Sequence, residues 1–243
     1  MAQKETLDKI KQYGYWEFQI NPADVYTPNL IPKTTELKQI LLNNIVHLRG
    51  WDFPHISQSN EEDQDFYAIS SGIESWINWR HYIEVTRYLQ NGLFIFLKAL
   101  PEDWYEKGPF GIPTTITDYA PKKYLHMIAT IYEITEFFTF LSNLCRAGVY
   151  KDNLKVKITL QNTLGRTINT FDVRRHLFQE YTSKMVNISF VDDVFTINEL
   201  QRDYADLSRK YIIKLFNYFN WDDPSPEMIR TDQDELFKNK NIY

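Results

Sequence analysis

A chain of 243 residues, 43% hydrophobic and 24% charged, can bury a sizeable core, and its composition argues against disordered, collagen-like and coiled-coil classes. A formal charge of -5 removes any global attraction to nucleic acid or to an anionic membrane and leaves room only for a local basic patch. The one cysteine, Cys145, excludes an intrachain disulfide and a Cys-based zinc site and fits a reducing, cytoplasmic compartment. Aromatic residues reach 16%, enough to thicken a core and still line a cleft or support a homodimer contact.

Glycine and proline divide the chain. Residues 3–12 predict a short helix and YWEFQIN, 15–21, a strand, followed by an extended connector at Pro22, Pro28 and Pro32. Leu37, Ile40, Leu41, Ile45 and Leu48 fall at helical spacing and predict a helix near 34–47. The polar SQSNEEDQD, 57–65, reads as a surface loop, and FYAIS with GIESWINW as a strand pair turning at Ser71 and Gly72. HYIEVTRYLQ, 81–90, reads as a helix stopped by Asn91-Gly92, and GLFIFLKAL, 92–100, as a buried strand.

Residues 101–120, rich in Pro and Gly, are the candidate internal boundary or lid of an otherwise single domain spanning 1–243. A long helix is predicted from Pro121 to Ala147, apolar nearly all round and therefore central. LKVKITLQN and GRTINTF suggest a hairpin, and MVNISFVDDVF another strand. A capping box at Thr196 and Glu199 launches a helix to about Phe219, and PEMIRTDQDELF closes the chain as a helix. The fold class is α+β, with several helices, one long and central, packed on a mostly antiparallel sheet. No apolar run approaches the roughly 20 residues of a membrane-spanning helix.

Nucleotide-binding glycine motifs, GxSxG, HExxH, EF-hand and deaminase signatures do not occur, so no cofactor, metal site or catalytic residue is assigned. Cys145 lies on an apolar stripe and reads as packing. Arg174, Arg175 and His176 read as a solvated turn rather than a phosphate contact.

LRGWDFPHI at 48, EVTRYLQNGLF at 84, KALPEDW at 98, IYEITEFFTFL at 131 and PEMIRTDQDEL at 226 concentrate charge among apolar residues. In that order they resemble a region that accompanies the AlbA-like module in bacterial proteins of the Schlafen/AlbA DNA-binding class, in patches over residues 45–236. The second piece is similar to a pattern E-x-W-R-hydrophobic-Y-Q-S-G-Q-F, with Thr86 in place of the tryptophan and Asn91 in place of the serine. The AlbA-like module itself is not evident here. The resemblance implies a bacterial regulatory or defence setting and carries no chemistry with it.

Glu136 lies four residues after Tyr132 and four before Phe140, so its carboxylate projects from an apolar stripe and requires a cationic partner. Arg49, Arg80 and Arg87 are available, and Glu84 with Arg87 sit one helical turn apart if 81–90 is helical. A partly buried cluster of Arg49, Asp52, Glu84, Arg87 and Glu136 is therefore expected, either tying helices together or flooring a ligand pocket. Within LRGWDFPHI, Gly50 lets the chain turn, Trp51 and Phe53 wedge into the core, and Asp52 and His55 satisfy backbone groups, line the pocket or form an acid/base pair.

Ligand-binding candidates are thus Arg49, Asp52, His55, Glu84, Arg87 and Glu136. The leading expectation is a non-catalytic sensor or interaction module for a small molecule or protein partner. Two alternatives stand beside it: a hydrolase or nuclease in which Asp52, Glu84 and Glu136 hold a divalent cation, and a nucleic-acid module with a hidden basic face.

Overall fold

The computed structural model describes residues 2–23, 30–31, 33–57, 62–79, 82–104, 119–172 and 175–238. Arg80, Arg174, much of the Pro28–Pro32 connector and residues 105–118 of the expected lid lie outside the described residues.

The chain opens with α1 (Ala2–Ile10), β1 (Tyr15–Pro22) and α2 (Thr34–Asn44). A meander follows: β2 (Gln64–Ile69), β3 (Gly72–Trp79), β4 (Tyr82–Leu89) and β5 (Phe94–Ala99), closed by a 3₁₀ turn at Pro101–Asp103. Then come β6 (Tyr124–His126), α3 (Met127–Arg146), β7 (Leu154–Gln161), β8 (Thr167–Asn169) and β9 (Ile188–Phe195). Three helices finish the fold: α4 (Ile197–Arg202), α5 (Tyr204–Asn217) and α6 (Pro226–Lys238).

Seven strands form one sheet in the order β2-β3-β4-β5-β1-β7-β9, and every neighbouring pair in it is antiparallel. Because β1 pairs with both β5 and β7, segments on either side of residues 101–120 share this sheet. One face carries α1 over Trp76, Ile83, Val85 and Ala99. Against the other lies α3, on which α2, α4, α5 and α6 all pack. The α+β expectation therefore holds. None of the described helices is long and apolar enough to cross a membrane.

Alternation along the strands sets the main core. Phe18 pairs with Phe96 across β1 and β5, and the Phe18 ring stacks on Phe137 of α3 with centroids 4.7 Å apart. Phe94 meets Phe140 one helical turn later at 4.9 Å, while Phe53 wedges from the 45–57 loop against Phe96 at 4.8 Å. These side chains are at most 2% exposed, so sheet, loop and α3 share one aromatic layer. At the outer edge, β9 carries an extra residue opposite Val156–Ile158, a bulge that bends an edge strand otherwise open to pairing.

Five expectations are corrected. Residues 82–89 form a strand, not a helix. Both faces of β4 are covered, so the polar/apolar alternation that would mark a strand is lost, and Asn91-Gly92 is the β4–β5 turn, with Gly92 at φ +85. The central helix begins at Met127 rather than Pro121, because residues 124–126 pair in parallel with β8 and His126 caps the helix by accepting from Ala129 N. That pairing also replaces the expected hairpin of β7 with 165–171. Finally, the helix launched by Thr196 breaks at Asp203 into α4 and α5, although both bonds of the capping box are present, and Gln64 and Asp65 belong to β2 rather than to a loop.

Truncating Phe137 to Ala removes one of the rings that join the sheet to α3. Chemical denaturation is expected to show a loss of about 3–5 kcal/mol, as for other large-to-small changes in closed cores.

Candidate functional site

Two buried charged knots and an open cleft stand out among the described residues. The first knot lies between α3 and the sheet. Glu133 and Glu136, three residues apart, present their carboxylates from one side of α3, and Arg49 reaches them from the 45–57 loop. Arg49 Nε donates to Glu136 Oε1 at 2.9 Å, and its Nη2 donates to Glu136 Oε2 and to Glu133 Oε1, each at 2.6 Å. Lys98 of β5 donates to the same Glu133 oxygen at 2.7 Å and lies 3.1 Å from Glu84, its cross-strand partner on β4. Trp51 Nε1 donates to Glu84 at 3.1 Å, so the chain of contacts runs Glu136–Arg49–Glu133–Lys98–Glu84–Trp51.

All three glutamates are at most 4% exposed, and they share two cations. Burial lifts the Glu136 carboxyl to about 7 against the pull of Arg49, with Glu133 adding to the lift. Burial also raises Glu84, despite Lys98. For Glu133 burial acts in the same direction, but Lys98 and Arg49 together outweigh it and hold that carboxyl below its ordinary value. One positive charge too few thus appears as reluctance of Glu136 to ionise.

Of the six expected residues, Arg49, Glu84 and Glu136 join this knot. Arg87 does not. On a strand, residues three apart point to opposite faces, so Arg87 leaves Glu84 behind and pairs with Glu74, its register partner, on the α1 side of the sheet. Asp52 shares a hydrogen bond with His47 Nδ1 at 2.6 Å, so no Asp52–His55 acid/base pair forms. His55 instead stacks on Trp51, centroids 3.9 Å apart, while Tyr82 covers the other face of that indole at 3.7 Å. Burial lowers the His55 pKa, and Asp52 opposes the fall. The nine-residue stretch is thus a corner: Arg49 ties it to α3, Trp51 to the sheet and Phe53 to the aromatic layer. Lys98 and Glu133 were missed, although a lysine inside GLFIFLKAL had to find a carboxylate once the strand was buried.

Beside this knot lies a cavity of only about 20 Å³, lined by Trp16, Tyr82, Lys98, Glu102 and Glu133 among others, roughly room for one water molecule. The cluster therefore opens onto no ligand-sized space among the described residues.

The second knot is Arg166, 1% exposed. Its Nη1 and Nη2 donate to the two oxygens of Asp103 at 2.6 and 2.5 Å, its Nη1 also to Tyr124 O at 3.0 Å, and its Nε to Asn162 O at 2.7 Å. Asp103 in addition accepts from Gly14 N at 2.6 Å. The neighbouring Glu102 accepts from His126 N, and burial pushes its carboxyl up to about 7. A Cβ on Gly14 would sit 2.3 Å from Arg166 Nη2, so only glycine lets β1 begin against this guanidinium.

Arg166 also floors the open cleft, of about 440 Å³, within the range of small-molecule sites. Lys11 and Lys122 line its rim, with Tyr13, Asn162, Leu164 and Val186, and its lining among the described residues contains no carboxylate. Lys122 holds a left-handed backbone at φ +66 and places Nζ 5.6 Å from the Tyr13 ring centroid. A non-glycine residue kept in that conformation is uncommon and recurs at binding sites. No sequence motif pointed here, because the lining comes from separate segments around residues 11–14, 122, 162–166 and 186. Among the described residues, no group of three His, Cys, Asp or Glu side chains is arranged to hold a metal ion. Comparison with known proteins gives no match to a family model, to a curated protein or to a solved structure.

Two outcomes follow from the first knot. Replacing Arg49 with Met leaves two buried carboxylates short of a cation, and denaturation is expected to show a loss of about 3–5 kcal/mol. The second concerns pH. An unfolded glutamate releases its proton near 4.5 and folded Glu136 near 7, so the stability this group contributes is present below 4.5 and lost as pH rises through 7. Wild type should lose on the order of 1–3 kcal/mol relative to Glu136→Gln across that window. The comparison isolates Glu136 from His126, which burial lowers to about 4 and which works in the opposite direction. A difference that stays flat with pH would contradict the assignment.

Proposed function

We propose that this protein is a non-catalytic sensor module that binds a small anionic ligand in the cleft between Lys11, Lys122 and Arg166. One observation carries the reading: in a chain with a net charge of -5, a ligand-sized cleft is lined by three cations and, among the described residues, no carboxylate. Arg166 is neutralised by Asp103, which leaves the two lysines to attract the ligand. Arg49 and Arg87, ligand-binding candidates on sequence grounds, are already occupied by glutamates.

The hydrolase or nuclease reading is less well supported, because it needs carboxylates converging free of cations. Glu84 and Glu136 each face one, and Asp52 lies with His47. Two uncompensated lysines also fall short of the extended track that a nucleic-acid backbone requires. Motif similarity supports a bacterial regulatory or defence setting, in company with the AlbA-like class. A reducing, cytoplasmic location is supported by Cys145, the lone cysteine, buried and with its thiol pushed up to about 12 by burial.

The test is thermal unfolding in the presence of a panel of small organic anions and matched cations. Anions are expected to raise the melting temperature of wild type, because a ligand that binds only the folded state stabilises it, by about 2.7 kcal/mol at a hundredfold excess over Kd. The Lys11→Ala/Lys122→Ala double variant should melt like wild type without ligand and lose that gain. A panel in which no anion stabilises the protein would refute the reading.

A further inference from the structure

The lining of the cleft specifies its ligand more closely, on the reading that it binds an anion at all. Charge comes first. Arg166 and Asp103 form a two-pronged pair of no net charge, so among the described residues the cleft's uncompensated charge is that of Lys11 and Lys122, about two positive units. A monoanion would leave one of them unmatched. Donors come second. Four of the five guanidinium hydrogens of Arg166 are accounted for by Asn162 O, Tyr124 O and the two Asp103 oxygens, and the fifth, on Nη2, has no acceptor among the described residues.

Apolar surface comes third. Leu164 and Val186, 63% and 59% exposed, are two of the few large apolar side chains that the described residues leave open to solvent, and both line this cleft. They are held there. Thr163 N donates to Val186 O at 2.8 Å, Thr163 Oγ1 donates to Met185 O at 2.7 Å, and Gly165 N donates to Ser183 O at 2.9 Å, so the two loops that present them are laced together before any ligand arrives.

We infer that the cleft binds a phosphate monoester as its dianion, with the phosphate between Lys11, Lys122 and Arg166 and an apolar or aromatic ester group lying on Leu164 and Val186. A phosphate monoester near neutral pH carries close to two negative charges and three acceptor oxygens, which matches two lysines and a free guanidinium hydrogen. Sulfate esters and carboxylates carry one charge.

The experiment is calorimetric titration of the full chain at pH 7.5 with phenyl phosphate, phenyl sulfate and benzoate, three probes that share a ring and differ in the anion. Phenyl phosphate is expected to bind at least about tenfold more tightly than the other two. Lys11→Ala and Lys122→Ala, both exposed positions, should each weaken it by about tenfold, and Leu164→Ser should weaken phenyl phosphate but not methyl phosphate. If phenyl sulfate or benzoate binds as tightly as phenyl phosphate, the phosphate assignment is overturned and the anion cleft stands. If none of the three binds, or if phenyl phosphate binds both lysine variants as it binds wild type, both readings fall.

Discussion

Arg49 is the side chain on which the architecture turns. It leaves an irregular loop, passes the ring of Tyr132 and divides its donors between two glutamates on the helix that every other helix of that layer packs against. Lys98 continues the connection into the sheet. Burying five charged groups is expensive, and attraction between them recovers the cost only when the geometry is good. Here the carboxylates sit on rigid elements, helix and strand, and a single arginine positions the loop against both. The loop in turn delivers Phe53 to the aromatic layer and Trp51 to its place between Tyr82 and His55. Electrostatic and apolar burial thus constrain the same corner.

Arg166 plays the matching part on the opposite flank. It joins the 3₁₀ turn after β5, the strand before α3 and the turn after β7 through hydrogen bonds to Asp103, Tyr124 O and Asn162 O, and Asp103 extends the connection to the start of β1 by accepting from Gly14 N. The difference between the knots is their surroundings. Arg49 adjoins space for roughly one water, whereas Arg166 floors a cleft rimmed by lysines and flanked by exposed apolar side chains. Both knots are buried, and what differs is the space beside them.

Much of the fold was legible because local signals agreed with the tertiary outcome. Glycine and proline marked the turns, β5 showed the short apolar run of a buried strand, and Thr196 with Glu199 formed the capping box their spacing announced. The pairing of Arg49 with Glu136 was legible for a different reason: a carboxylate on an apolar helical stripe has to find a cation. What failed was the period of residues 82–89. Covered on both faces, that strand carries apolar side chains at adjacent positions, and the wrong period sent Arg87 to the wrong partner. The basic cleft was invisible for a topological reason, since Lys11, Lys122 and Arg166 meet only after β1 has inserted between β5 and β7.

A closed knot shapes the fold, and the open cleft is the place proposed for the ligand. Two-dimensional amide and indole NMR during titration with phenyl phosphate tests this division most directly. Shifts confined to Gly14, Lys122, Leu164, Gly165 and their neighbours, with the Trp51 indole unmoved, are the predicted result. Shifts centred on Trp51, Lys98 and Glu133, with the Gly14 and Lys122 amides silent, would contradict it.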